Sequence, residues 1–98
     1  MVCKVFPIPL RPGQQAAAEA VVNEFAPVGP GQEPGTASFR VYRDANRPDY
    51  LLFVEHFADR EAYDAHTTSA AYQELIAGRF AGLIEEFVEL DHELIVSL

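Results

Sequence analysis

Four side chains have types and positions at which chemistry could be done: His66, Glu55, Arg79 and His92. His66 closes a short helical pattern just before Thr67-Thr68-Ser69. An imidazole there can be a general base or a hydrogen-bond donor at a pocket mouth, because it exchanges protons near neutral pH. The same position also suits a structural histidine favoured by the helix macrodipole, whose loss would cost about 1 kcal/mol or less. Glu55 is the odd member of a strand face that otherwise reads Leu51, Phe53 and Phe57. If buried, its carboxyl must be paired or protonated, either as a catalytic acid or base or within a structural ion pair. His56 points to the opposite face, so the two neighbours are no catalytic pair within one subunit. Arg79 interrupts the apolar stripe of a helix. It either holds an anionic or enolate oxygen or carries its head to the edge and pairs with a carboxylate. His92 lies on an apolar strand face and reads as a packing residue rather than a ligand.

Other chemistries lack their residues. His56, His66 and His92 are 10 and 26 residues apart, which matches no metal-binding spacing, so no metal is expected. Gly29, Gly31 and Gly35 precede a strand and not a helix, so they make no phosphate loop. There is no G-x-S-x-G elbow. Cys3 is the only cysteine; it excludes an internal disulfide, reads as a small buried hydrophobe and fits a reducing cytoplasm.

The positioning elements follow from periodicity. Val2–Leu10 is apolar on both alternating faces and reads as a strand. Arg11-Pro12-Gly13 is a turn. From Gln14 to Phe25, Ala18, Val21, Val22 and Phe25 mark one helix face. The three prolines and three glycines of residues 26–36 predict a loop. Ala37–Arg43 and Tyr50–Phe57 read as a hairpin around the turn Asp44–Asp49. Asp59 is an N-cap for a short helix, Arg60–His66. Tyr72, Leu75, Ile76, Arg79, Phe80, Leu83, Ile84 and Phe87 predict a helix of about four turns. Val88–Leu98 alternates as a closing strand. The order β-α-β-β-α-β is ferredoxin-like, an α+β fold with an antiparallel four-stranded sheet.

A chain of 98 residues with 49% apolar composition is expected to form one domain, 1–98, hiding roughly 65% of its unfolded surface. The net charge of −8, from 15 acids against 7 scattered bases, disfavours nucleic acid and anionic membranes. No apolar run reaches the roughly 18 residues of a membrane span, and two early prolines break the N-terminal apolar stretch, so it does not read as a signal peptide. A small molecule, another protein or a second copy remain as partners. Helices can cover one sheet face only. Val2–Leu10 and Tyr50–Phe57 are apolar on both, which predicts a homodimer.

Several short motifs occur in an order that resembles the antibiotic biosynthesis monooxygenase family over nearly the whole chain. They are Arg11-Pro12-Gly13, Glu33-Pro34-Gly35, Phe39-Arg40-Val41-Tyr42-Arg43, Val54-Glu55-His56-Phe57, Asp59-Arg60-Glu61-Ala62 and His66-Thr67-Thr68-Ser69, with Tyr72 beyond. The resemblance implies a dimeric α+β barrel with a pocket between helices and sheet in each subunit. It also implies a cytoplasmic oxygenase that needs no metal, flavin or haem and joins O2 to an electron-rich phenol, anthrone or quinol. His66 matches the family's pocket histidine and Glu55 its strand glutamate. Phe57 stands where relatives often carry tryptophan, and Ala71 where many carry a second histidine. The absence of tryptophan, and of asparagine in the first strand, disfavours the haem-degrading branch. On this reading His66 is the base or donor and Glu55 a catalytic carboxyl. Tyr72 and Arg79 orient substrate oxygens, and Phe53 and Phe57 form an aromatic wall. The alternatives are an isomerase of a small keto or enol metabolite and a non-catalytic ligand-binding dimer module.

Overall fold

Alternating burial marks the two central strands of the computed structural model, which describes all residues 1–98. β1 (Val2–Pro9), β2 (Thr36–Arg43), β3 (Tyr50–Phe57) and β4 (Leu90–His92) form one antiparallel sheet in the order β2-β3-β1-β4. This is the expected ferredoxin-like α+β fold. In β3, Leu51, Phe53, Glu55 and Phe57 are buried while the residues between them are only half-buried. The register sets Phe6 opposite Phe53 and Lys4 opposite Glu55, so these side chains share the face that the helices cover.

Helix α1 (Gln15–Val28) lays Ala18, Val21, Val22 and Phe25 on that face. Helix α2 (Arg60–Thr68) begins at Asp59, whose carboxylate accepts from the Ala62 N–H at 2.8 Å. The core joins these elements through Phe6, Ile8, Phe25, Leu51, Phe53 and Phe80. The other sheet face bears Val5, Pro7, Leu52 and Val54, all half-buried, and Tyr42, which is exposed.

Three expected elements differ. Residues 26–36 are not loop throughout, because α1 continues through Pro27 to Val28 and a 3-10 turn follows at Pro30–Gln32. A proline in the last helical turn forfeits only one hydrogen bond, so it delays rather than forbids the end. The second long helix is broken. Tyr72–Ala77 is a π-helical segment and Phe80–Leu83 a 3-10 turn. Its i→i+5 bonding widens the turn and shifts the phase of the apolar stripe. Leu75, Phe80 and Ile84 stay buried, whereas Arg79 is carried outward. Finally, the closing strand is three residues long rather than eleven. His92 pairs with Cys3, so the antiparallel chain beyond it runs past the start of β1 and finds no ladder partner. Leu94, Ile95, Val96 and Leu98 are exposed there.

Candidate active site

The carboxyl singled out on β3 is buried, and it meets the histidine singled out on α2. His66 is 2% exposed and Glu55 4%. His66 Nε2 lies 3.5 Å from Glu55 Oε1, an oxygen that is buried without a hydrogen-bond partner. His66 Nδ1 lies 2.7 Å from Oε1 of Glu33, a residue the sequence reading left without a role. The imidazole is therefore flanked by two carboxyl groups from different elements. Phe57, Tyr72 and Phe25 surround the ring, with centroids 5.0, 5.4 and 5.7 Å away.

These contacts have local causes. The alternation of β3 directs Glu55 to the covered face although it is charged. Ser69 ends α2 by donating its hydroxyl to the His66 carbonyl at 3.0 Å, and it accepts from the Tyr72 N–H at 3.1 Å. That double bond to backbone turns the chain sharply enough to bring Tyr72 back over His66. Gly35 lets the segment before β2 approach α2: a Cβ at Gly35 would fall 2.5 Å from the Ala62 Cβ. Glu33 consequently reaches the buried ring.

Burial pushes the Glu55 carboxyl up to about 8, with the nearby Glu33 and Glu89 adding repulsion. Glu55 is thus neutral at pH 7 and able to donate a proton. Burial also raises the Tyr72 phenol, with Glu55 the next cause, and raises the Tyr63 phenol, with Glu89 next. Tyr63 donates its hydroxyl to Glu89 at 3.1 Å. The buried Lys4 ammonium donates to Glu89 at 2.9 Å and also to Asp91, so it is committed to partners. No group of three or more His, Cys, Asp or Glu side chains is placed to hold a metal ion.

His66 and Glu55 line a cavity with Tyr72, Phe53, Tyr63 and Phe87. Its open volume is about 30 Å³, room for about two water-sized molecules. Phe87 closes one side with a ring 51% exposed and packed at 5.6 Å on Phe6.

The structure gathers His66, Glu55, Tyr72 and Phe53 at this cavity. Phe57 is fully buried behind His66 and does not line it. Arg79 stands on the surface, paired with Glu24 at 2.8 Å, and is not among the residues lining this cavity. His92 is exposed on the short β4 rather than packed on an apolar face. The reading missed Glu33 and Tyr63. The available signal for Glu33 was its place two residues before Gly35, but only the fold shows what that glycine approaches.

Comparison with known proteins follows the same outline. Residues 1–78 match the family model described as antibiotic biosynthesis monooxygenase. A Bacteriodes thetaiotaomicron protein bearing the same family name superposes with a TM-score of 0.88 at 19% identity, over 97% of this chain and 90% of that one. PA3566 from Pseudomonas aeruginosa gives 0.87 at 14% identity, over 97% and 94%. Rv0793 from Mycobacterium tuberculosis gives 0.84 at 21% identity, over 98% and 96%. At such identities the likeness is one of fold. No curated protein matches the chain.

Proposed function

The chain belongs to the antibiotic biosynthesis monooxygenase family, and from that premise we propose that it oxidises an electron-rich phenol, anthrone or quinol with O2, as a cytoplasmic homodimer without a bound cofactor. The observation that carries this reading is the pairing of His66 Nε2 with the unpartnered Glu55 Oε1, 3.5 Å apart at the wall of an aromatic cavity. It supplies a base and a neutral acid side by side in a small, largely apolar site.

The substrate carbon is a CH2 made acidic by its aromatic and carbonyl neighbours, as in an anthrone or in the keto tautomer of a phenol. His66 Nε2 removes its proton, and the carbanion gives one electron to O2. The carbon radical and superoxide combine into a C–O bond, leaving a peroxide anion. Glu55 protonates that anion, and loss of the second C–H proton expels water as the C=O bond forms. The balance for a methylene is CH2 + O2 → C=O + H2O. Tyr72 donates to the enolate oxygen and Phe53 offers a flat apolar wall, roles supported by their both lining the cavity.

An aromatic ligand needs roughly 300 Å³, far above the 30 Å³ that is open. Entry therefore displaces Phe87, whose neighbours 85–89 belong to no helix or strand. The homodimer reading is supported by the uncovered face of β1 and β3 and by the exposed apolar residues 94–98.

Oxygen uptake by the purified protein with an anthrone or hydroquinone, without added NADH, flavin or iron, tests the activity. Stoichiometric O2 consumption is expected. Turnover undiminished under anaerobic conditions would overturn the oxygenase reading in favour of an isomerase. Saturable binding without turnover would favour the ligand-binding module. Light scattering at micromolar concentration should give a dimer, and a stable monomer would refute the homodimer.

A further inference from the structure

Glu33 touches no part of the cavity, yet it is the hydrogen-bond partner of the imidazole that does. It sits at the end of the 3-10 turn Pro30–Gln32, half-buried, with its carboxyl against His66. Two groups converge on the same oxygen. The Thr36 hydroxyl donates to Glu33 Oε1 at 2.7 Å, and His66 Nδ1 lies 2.7 Å from that atom. An oxygen already accepting from a hydroxyl accepts a second bond at this distance if the nitrogen carries the hydrogen. Nδ1 is then protonated, and the lone pair of the neutral ring is on Nε2, the atom that faces Glu55.

We propose that Glu33 is the positioning residue of this site, holding His66 in the Nδ1–H tautomer so that Nε2 meets the substrate as a base. The proposal deepens the function above and rests on it for its kinetic consequence. Its structural content stands separately, because a tautomer is observable without turnover. The groups that face the ring are Glu33 from before β2, Glu55 from β3, Tyr72 from the π-helical segment, and the apolar rings of Phe25, Phe39 and Phe57. Only Glu33 lies within hydrogen-bond distance of either ring nitrogen with a bond made. A carboxylate behind a functional histidine fixes its orientation and stabilises the imidazolium that forms after proton transfer.

The test is 15N–1H correlation NMR of the histidine rings in the full chain, joined to steady-state kinetics with the anthrone or hydroquinone. In the unaltered protein above the titration of the ring, His66 should show a protonated Nδ1 and an unprotonated Nε2. Glu33→Ala should abolish that preference and lower kcat by about 10- to 100-fold, with KM within about threefold and the acid limb of the kcat profile displaced. Glu33→Gln keeps an acceptor oxygen pinned by Thr36; it should retain the tautomer and recover part of the lost rate. An Nε2–H tautomer in the unaltered protein would overturn the proposal, and that measurement needs no variant to fold. So would a Glu33→Ala protein with unchanged tautomer and kcat. The two readings fail differently: the expected tautomer together with full activity in His66→Ala sinks the base assignment and leaves Glu33 as the residue that sets the ring.

Discussion

His56 and His66 use the same atom for their hydrogen bond and lie on opposite sides of one sheet, the first on β3 and the second on α2. His56 Nδ1 pairs with the Ser38 hydroxyl at 2.9 Å on the uncovered face, where it is half-buried. His66 Nδ1 pairs with a carboxyl at 2.7 Å on the covered face, and its other nitrogen confronts a second carboxyl that has no partner. In the single chain the helices leave His56's face open, so solvent can reach whatever it leaves unmade. Around His66 the surroundings are mostly aromatic rings, so an unmade bond there is electrostatically stronger than one facing open solvent. The difference teaches that enclosure, and not the residue type, makes the candidate base.

The largest effect should separate the two histidines by activity. One positioned base contributes about 10²–10⁴-fold, so His66→Ala should lower turnover of an oxidisable quinol by that factor. His56→Ala should leave it within a few-fold, provided the dimer is intact by light scattering. Equal losses would erase the contrast between the two faces.

Stability should separate them next. His66 was expected to cost little as a helix-terminal residue, but the ring is buried and packed among Phe25, Phe57 and Tyr72. Its removal leaves a cavity and strands the Glu33 carboxyl. Denaturant unfolding should show a loss of about 2–4 kcal/mol for His66→Ala, against about 0.5 kcal/mol for His56→Ala.

A pH series sharpens the covered face. The Glu55 carboxyl is raised from 4.5 to about 8, so the folded state keeps a proton that the unfolded chain releases. Between those values the folded state binds more protons, and stability falls as pH rises through that window. Below about 4.5 both states are protonated and Glu55 contributes nothing to the slope. Glu55→Gln should flatten the fall, a difference on the order of a few kcal/mol by pH 9, followed by the unfolding midpoint from pH 5 to 9. An unchanged slope would mean that Glu55 is not the buried acid described.

The smallest effect concerns access. Phe87→Ala removes the ring that closes the cavity, and it should lower KM by roughly three- to tenfold, about 1 kcal/mol, with kcat little changed. A KM that rises instead would make Phe87 a substrate contact rather than a cover.

Much of this was legible in the residues. The alternation of β3 located Glu55 on the wrong-polarity face, and the Asp59 cap with the Thr67-Thr68-Ser69 stop placed His66 at the end of a short helix. Periodicity reports one element at a time, which suffices wherever a side chain's role is set by its own strand or helix. It misplaced Arg79 because a stripe extrapolated along a regular helix cannot register a π-helical turn, a distortion that packing selects. It overextended the last strand because Leu94, Val96 and Leu98 alternate whether or not β1 continues beside them.

The amino-acid order sufficed for the order of strands and helical segments and for Glu55 as the charged member of an apolar strand face, since these follow from local geometry and the cost of exposing apolar surface. Only the tertiary structure decided that Glu33, 33 residues before His66 and 22 before Glu55, completes the trio. Its approach depends on β2 lying against α2 with Gly35 between them, a through-space contact that no spacing along the chain encodes.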